Sequence, residues 1–278
     1  MRVKFVDVMG VPTRCLYAGN QEAPPILLIH GRALMAEVWL RNIDELGRVF
    51  FVIAPDVLGN GFTGPVDFGA GDEPAIAARL RHLCALVEAL GWNTFCACGS
   101  SHGALLAALM YLRMPRRVTH LVLNGSAACA SPDEDLKNLM ARTLADEAAI
   151  ASATLDDWRA RCSKGVHNPS AIPPELPSAL LTAYAQPWVR KAWKDSLLSQ
   201  MDVAGIRDYR ILHRLGDFDV DTLVPWGLQD HGAPYDYGVA MVEGMPRARL
   251  ETFDACGHTP MLEHPDRFNA MIRSFILG

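Results

Sequence analysis

The chain has 278 residues, of which half are hydrophobic and 21% are charged, a balance that excludes long disordered segments. Its 26 basic and 31 acidic residues give a net charge of −5, and no run of basic residues is longer than Arg116-Arg117. The chain therefore offers no positive stripe along which a nucleic-acid backbone could bind. The length fits two domains, or one large α/β domain with an insertion.

Strand-like and helix-like segments alternate through the first 130 residues. The predicted strands are residues 2–9, 14–18, 26–29, 50–54, 94–98 and 120–123. The last four are short and largely apolar, which is typical of a parallel sheet buried on both faces. Helical spacing of apolar residues predicts helices over 74–90 and 102–113. This alternation predicts an α/β domain with a mostly parallel sheet.

The pattern changes between about residues 131 and 205, where helical spacing replaces the strand-like runs and prolines divide the segment into short helices. We interpret 131–205 as an inserted helical cap. Strands are predicted again at 222–228 and 249–253, followed by a final helix over 264–277. The predicted domains are therefore a core of residues 1–130 and 206–278, interrupted by the cap.

The seven cysteines are odd in number and scattered through apolar segments, which favours free thiols in a reducing compartment. Asp7 stands where the apolar part of a secretory signal would run, and the apolar stretch 103–112 is too short to span a bilayer. We therefore expect a cytoplasmic protein with no membrane partner.

The pentapeptide Gly99-Ser100-Ser101-His102-Gly103 follows a predicted strand and opens a predicted helix. Glycines on both sides of Ser101 allow a sharp turn that lifts its hydroxyl above the strand end, at the positive end of the helix dipole. Ser101 is therefore the predicted nucleophile.

A second motif, His30-Gly31-Arg32, ends the third predicted strand. Backbone N–H groups after Gly31 and after Ser101 could converge on one oxygen and stabilise a developing oxyanion. We predict that the amides of Arg32 and His102 form this oxyanion hole. We interpret His30 as a structural hydrogen-bonding residue rather than a base, and we also consider it as a contact to the substrate.

His258 follows the predicted strand at 249–253 and is the predicted base for Ser101, because one ring nitrogen can take a proton while a partner orients the other. Asp230, which follows the strand at 222–228, is the predicted acid. Asp254 and Asp217 compete for the acid role, but the first is close to His258 along the chain and the second precedes the strand.

Together these motifs resemble the α/β-hydrolase superfamily, in its serine-nucleophile branch with a helical cap. Nucleophile, acid and base follow one another in the order expected of that family. The resemblance also covers the segment Asp56 to Gly61 and the run Glu263-His264-Pro265. It implies an eight-stranded, mostly parallel sheet flanked by helices, with the cap closing over Ser101 and lining the substrate pocket. The candidate substrate contacts are His30, Trp158, Tyr184, Trp188, Trp193, Met201 and Thr259.

The main prediction is a serine hydrolase that cleaves a carboxylic ester, lactone or thioester through an acyl-enzyme. An alternative is a hydrolase of carbon–carbon bonds in aromatic ring-cleavage products of the 2-hydroxy-6-oxo-dienoate type. Members of that subfamily often carry an arginine in the acid loop, where this chain has Gly227-Leu228-Gln229, and a tryptophan after the histidine, where it has Thr259. The candidate cap arginines for a substrate carboxylate are Arg159, Arg161 and Arg190.

Two further alternatives remain. His102 beside the nucleophile resembles the Ser-His-Gly elbow of cofactor-free dioxygenases that act on hydroxyquinolones, although Asn124 stands where those enzymes place their acid. A ligand receptor without catalysis could share the scaffold. The sequence contains no metal-ligand cluster and no dinucleotide fingerprint, so we expect no cofactor, a small-molecule substrate, no nucleic-acid partner, and a monomer or homodimer.

Overall fold

The computed structural model describes residues 1–71, 73–145 and 147–278. Eight strands form one sheet in these ranges: β1 (Arg2–Val8), β2 (Val11–Ala18), β3 (Pro25–Ile29), β4 (Phe51–Pro55), β5 (Phe95–Ser100), β6 (Val118–Asn124), β7 (Thr222–Gly227) and β8 (Ala248–Phe253). Their order is β1-β2-β4-β3-β5-β6-β7-β8. Strand β2 pairs antiparallel with β1 and β4, and the pairs from β4 to β8 are parallel. The predicted strands and the mostly parallel eight-stranded sheet are confirmed.

Helices flank this sheet and cover its connections. They are α1 (Ile43–Leu46), α2 (Ala75–Ala89), α3 (His102–Arg113), α4 (Ala127–Ala130), α5 (Asp133–Ala145), α6 (Glu147–Ile150), α7 (Leu155–Ser163), α8 (Glu175–Tyr184), α9 (Pro187–Met201), α10 (Tyr235–Gly244), α11 (Pro260–Glu263) and α12 (Pro265–Leu277). Short 3-10 turns lie at Ala36–Trp39, Pro169–Ala171, Arg207–Tyr209 and Leu212–Asp217. None of the helices in the described ranges is both long and apolar enough to cross a membrane.

The central strands have largely apolar sequences because both of their faces are covered. Every residue of β4 and β5 is buried, and α3 packs on β5 and β6 with its alanine and leucine side chains in the core. Parallel strands joined by helices place their carboxyl ends at one edge of the sheet. The residues that follow β3, β5, β6, β7 and β8 therefore meet at that edge.

Between β6 and β7 the described residues contain helices α4 to α9 and no strand. This agrees with the predicted change of pattern, while the cap boundaries at residues 131 and 205 stay predictions. Helices α5 and α9 pack together, as do α7 and α8, and α8 also contacts the 3-10 turn at Ala36–Trp39 that follows β3. The helical segment is thereby held over the edge where the strands end.

Helix α10 was not anticipated from the apolar spacing. Its sequence carries Gly238 in the middle, a residue that lowers the helical propensity of a segment. The structure explains the glycine, because a Cβ atom at this position would lie 2.8 Å from the Trp226 ring. Gly238 therefore allows α10 to pack closely on β7, and the same glycine weakens the helical pattern in the sequence.

Candidate active site

Ser101 occupies the turn between β5 and α3 in a conformation that a non-glycine residue rarely adopts. Its φ and ψ angles are 55° and −120°, which costs on the order of 1–3 kcal/mol and persists only where the surroundings impose it. These surroundings are tightly packed at the nearby Gly103, where a Cβ atom would lie 2.2 Å from the carbonyl oxygen of Ile29. The Ser101 N–H donates to the carbonyl of Asn124 at 2.8 Å, which joins the turn to the end of β6.

His258 and Asp230 form a hydrogen-bonded pair at the ends of β8 and β7. The Nδ1 atom of His258 lies 2.5 Å from Oδ2 of Asp230, whose side chain is 1% exposed. The other oxygen, Oδ1, accepts the backbone N–H groups of Gly232 and Ala233 at 2.8 and 2.9 Å. Burial by itself lowers the pKa of His258, but the charge and hydrogen bond of Asp230 outweigh burial and raise it.

The two competing acids lie elsewhere. Asp254 accepts from the side chain of Gln229 and from the N–H of Ala255. Asp217 is paired with Arg214 on the surface. Of the three carboxylates considered from the sequence, the structure pairs Asp230 with His258; its catalytic role stays a prediction.

Ser101 and His258 follow strands β5 and β8, and both contact the end of β6, at Asn124 and Gly125 respectively. Gly125, the residue after Asn124, has a φ of +56°, and a Cβ atom there would lie 3.3 Å from Cε1 and Nδ1 of His258. In the described part of the chain no hydrogen bond joins the Ser101 hydroxyl to His258. Their transfer of a proton therefore stays a prediction.

The amides proposed for the oxyanion hole, those of Arg32 and His102, have no hydrogen-bond acceptor in the described ranges. For His102 the reason is its place as the first residue of α3, where an N–H group has no partner within the helix. The two segments are close, because a Cβ atom on Gly31 would lie 3.2 Å from Cβ of Ser101. The hole itself stays a prediction.

The side chain of His30 supports the backbone around the site. Its Nε2 atom accepts the N–H of Val57 at 2.9 Å, so Nδ1 carries the proton and donates to the carbonyl of Gly31 at 2.8 Å. Burial lowers its pKa to about 4, so the ring is neutral at pH 7. His30 is 2% exposed, and the geometry favours the structural interpretation over substrate contact.

A cavity of about 230 Å³ lies between the cap helices and the core, and His258 forms part of its wall. Of the predicted substrate contacts, Trp158, Trp193 and Thr259 line it. Tyr184, Trp188 and Met201 are not among the residues that line this cavity. Tyr184 packs between Trp158 and Trp193, and the Trp188 ring packs against Gly64. Contact of these three with a substrate stays a prediction.

The candidate cap arginines have different surroundings. Arg161 lines the cavity and lies over the Trp158 ring. Arg159 pairs with Asp156 on the surface, and Arg190 donates to two backbone carbonyls at the end of α8. A cavity-lining cation that sequence reasoning missed is Arg32, which was considered for its backbone amide alone.

Glu263 is a second residue whose role was missed. Its Oε1 atom accepts the N–H of Gly257, and its Oε2 atom accepts the N–H groups of His167 and Asn168. The N–H of His258 in turn donates to the carbonyl of Gly165 at 2.8 Å. The loop that carries the imidazole is therefore bound to residues 165–168 of the helical segment. The signal was available, since Glu263 belongs to the run that carries the family resemblance.

Comparison with known proteins identifies the family. A family model described as alpha/beta hydrolase fold matches residues 24–265. This chain belongs to the α/β-hydrolase family. This α/β-hydrolase is 28% identical over 267 residues to a 2-hydroxy-6-oxononadienedioate/2-hydroxy-6-oxononatrienedioate hydrolase of Paraburkholderia xenovorans, with 92% of this chain and 88% of the relative covered.

Two other similar proteins have names of the same kind. A 2-hydroxymuconate semialdehyde hydrolase of a Pseudomonas species is 28% identical over 269 residues, covering 91% of this chain and 86% of the relative. Among solved structures, a meta-cleavage product hydrolase of Pseudomonas fluorescens superposes with a TM-score of 0.79 and 25% identity, covering 98% of this α/β-hydrolase and 97% of that chain.

These relatives overturn the main functional prediction. An ester, lactone or thioester hydrolase was expected, whereas the relatives are named as hydrolases of 2-hydroxy-6-oxononadienedioate, of 2-hydroxymuconate semialdehyde and of a meta-cleavage product. The prediction of an ester hydrolase was wrong because the predicted nucleophile, acid and base, Ser101, Asp230 and His258, would serve either reaction. The broader prediction, that this chain is a hydrolase of the α/β fold, is confirmed.

Proposed function

We propose that this α/β-hydrolase cleaves a carbon–carbon bond in a 2-hydroxy-6-oxo-dienoate, the type of compound formed by opening an aromatic ring. The observation that carries the proposal is similarity along almost the whole chain to hydrolases named for such substrates. A nucleophile turn, a histidine–aspartate pair and a largely apolar cavity at the same edge of the sheet support it.

The chemistry requires that the departing carbon can accept an electron pair. In the keto form of such a substrate, the carbon next to the 6-oxo group is joined to a 2-oxo-3-enoate unit. Conjugation carries the electron pair from that carbon to the 2-oxo oxygen, so the fragment leaves as an enolate rather than as an isolated carbanion. The enzyme then has to add a nucleophile to the 6-oxo carbon and stabilise the charge that forms on its oxygen.

The residues at the strand ends can perform these steps. The Ser101 hydroxyl adds to the 6-oxo carbon while His258 takes its proton. The amides of Arg32 and His102 hold the oxyanion. Asp230 keeps the proton on Nδ1 of His258, so that Nε2 is the nitrogen that faces the serine.

Collapse of the oxyanion breaks the bond between carbons 5 and 6. The electron pair moves into the enoate half, which takes the proton from His258 and departs as 2-hydroxypenta-2,4-dienoate. The remaining acyl group stays on Ser101. Water then loses a proton to His258 and attacks this ester, which releases the carboxylic acid and returns the proton to the serine.

The proposal is tested with 2-hydroxy-6-oxo-6-phenylhexa-2,4-dienoate and 2-hydroxymuconate semialdehyde. Loss of the visible absorption of the dienol is followed with time, and benzoate from the first substrate is measured by chromatography. We expect turnover by the wild type, none by Ser101→Ala, and wild-type turnover by Ser178→Ala, which removes an exposed hydroxyl on α8.

A folded wild type that releases no carboxylic acid from either substrate contradicts the proposal. Stoichiometric binding without turnover would favour the receptor alternative. Consumption of dioxygen with a hydroxyquinolone would favour the dioxygenase alternative.

The proposal includes a small-molecule substrate, a cytoplasmic location and a monomer or homodimer. We propose the cytoplasmic location because the cysteines are unpaired and lie in apolar segments. Light scattering on the eluting protein tests the assembly, since a particle larger than two chains of 30.4 kDa contradicts it.

A further inference from the structure

The side chain of Arg32 is a cation without a counter-ion in the wall of the cavity. Its Nη2 atom donates to Oε1 of Gln200 at 2.7 Å, while its buried Nε atom has no hydrogen-bond partner. Within the described ranges no carboxylate lies within 4.0 Å of it. Arg14, by contrast, has counter-ions, because Glu37 and Asp56 both form ion pairs with its guanidinium.

A second guanidinium in the same region also has no carboxylate partner among the residues that the structure describes. Arg79 is 3% exposed, and its nitrogens donate to neutral oxygens of Leu58, Asn60 and Ser196. Burial first, and then the charge of Arg32, lower the pKa of Arg79 to about 10. Burial likewise lowers the pKa of Arg32 to about 10.

The two cations are joined by uncharged groups. The Nε2 atom of Gln200 donates to the carbonyl and hydroxyl oxygens of Ser196, and the same hydroxyl accepts from Nη1 of Arg79 at 2.5 Å. This chain of hydrogen bonds orients Arg32 without neutralising it. A buried charge on Arg79 beside a partly buried charge on Arg32 is costly until an anion enters beside them.

Residues in the cavity wall carry further donors that such an anion could engage. Three lining residues carry a buried donor atom without a partner: Nε of Arg32, Nε1 of Trp193 and Oγ1 of Thr259. Most of the other wall is apolar, including Trp158, Leu176 and Leu180. A ligand that fits this cavity therefore combines an apolar body with a negatively charged, hydrogen-bond-accepting end.

We propose that the Arg32 guanidinium binds the carboxylate of the substrate and makes the enzyme selective for the free acid over a neutral ester or amide. This inference rests on the proposed function, and it assigns the substrate-binding charge to the loop after β3 rather than to the cap. A guanidinium offers paired N–H donors that match a carboxylate.

The covalent dimensions agree with this assignment. Four carbon atoms separate the amide nitrogen of Arg32 from its Nε atom. Four carbon atoms also separate the carboxyl carbon of a 6-oxo-dienoate from its keto carbon. An extended substrate beside the Arg32 side chain thus places its keto oxygen at the Arg32 amide and its carboxylate at the guanidinium.

The first test measures the preference for a charged substrate. Wild type, Arg32→Gln and the control Arg159→Gln are compared on 2-hydroxy-6-oxo-6-phenylhexa-2,4-dienoate and on the methyl ester of its carboxyl group. We expect the wild-type kcat/KM to favour the acid on the order of 100-fold, the value of a hydrogen bond to a charged group.

In Arg32→Gln the preference should fall to near unity, through a higher KM for the acid, while Arg159→Gln keeps the wild-type preference. Arg32→Lys should recover part of it, because the charge remains and the paired donors are lost. A preference that survives Arg32→Gln overturns the inference.

The second test does not depend on turnover. Calorimetric titration with hexa-2,4-dienoate (sorbate), which has the diene and carboxylate but no keto group, is compared with titration of its amide. Sorbate binding that is lost in Arg32→Gln supports the inference even if no dienoate is cleaved and the proposed function fails. Sorbate binding that is absent from the wild type, or unchanged in Arg32→Gln, overturns it even if cleavage is observed.

Discussion

The Oδ2 atom of Asp230 lies 2.5 Å from the Nδ1 atom of His258, and backbone groups hold both members of this pair. Two amides after β7 bind the second oxygen of Asp230, and the N–H of His258 binds the carbonyl of Gly165. The imidazole therefore has one orientation and one preferred tautomer, with Nδ1 protonated. This relationship leads directly to the first prediction.

Replacement of Asp230 by asparagine should reduce kcat about 10³- to 10⁴-fold, because the neutral amide does not select the required tautomer. The acidic limb of the kcat/KM profile should also move to lower pH. Burial and the charge of Arg32 then act on His258 without an opposing carboxylate, and both lower its pKa. Asp254→Asn is the matched control and should retain wild-type kinetics. A normal rate in Asp230→Asn would return the acid role to another carboxylate.

The charge of Arg32 should be visible in the pH profile as well as in selectivity. The charged groups that face His258 are Asp230, which raises its pKa, and Arg32, which lowers it. Arg32→Gln removes the second influence, so the pKa of His258 rises and activity needs a higher pH. The acidic limb of kcat/KM, measured between pH 5 and 9, should therefore move upward. A limb that stays in place, or moves down, would contradict this electrostatic coupling.

The nucleophile turn tolerates no side chain at Gly103. In Gly103→Ala the new Cβ atom would lie 2.2 Å from the carbonyl oxygen of Ile29 and 2.5 Å from that of His30. Relief requires that backbone segments move apart, which should lower the free energy of unfolding by about 3 kcal/mol. Urea denaturation measures the change. Gly216→Ala is the control, since a Cβ atom there has no neighbour within 4 Å; equal stability of the two variants would refute the packing argument.

Loss of the Glu263 carboxylate should weaken both stability and catalysis. In Glu263→Gln one oxygen becomes an amide group that cannot accept from the N–H groups of Gly257 or of His167 and Asn168. We expect unfolding free energy to fall by about 1–2 kcal/mol and kcat/KM to fall about tenfold, because the His258 loop is less firmly held. Glu251→Gln removes a surface ion pair with Arg267 and serves as the control. Kinetics that match this control would show that the loop is positioned without Glu263.

Much of the scaffold could be predicted because its signals are local. Four of the apolar runs are short, as expected for strands covered on both faces, and the glycines around Ser101 mark a turn that requires them. The order of Ser101, Asp230 and His258 along the chain then indicates which strand ends they occupy. Helix α10 shows the limit of this reasoning, since Gly238 serves contact with Trp226 on another element.

The reaction could not be predicted with the same security. The residues predicted to attack and to shuttle protons would serve ester and carbon–carbon hydrolysis alike, so the difference lies in what the cavity presents to the substrate. What the cavity presents depends on contacts between residues that are far apart in the sequence. Arg32 and Gln200 are separated by 168 positions in the chain and share one hydrogen bond. No local pattern of residues around Arg32 indicates that its guanidinium has no carboxylate partner.

The attachment of the His258 loop to residues 165–168 would link any movement of this segment to the position of the imidazole. If this segment lifts away to admit a molecule, the hydrogen bond from His258 to Gly165 breaks, and the base loses a support at the moment of opening. A conformation that is open to substrate would then lack a correctly placed base. In that case an acyl intermediate would meet bulk solvent only while the imidazole is out of alignment. Closure of residues 165–168 would therefore also align the base.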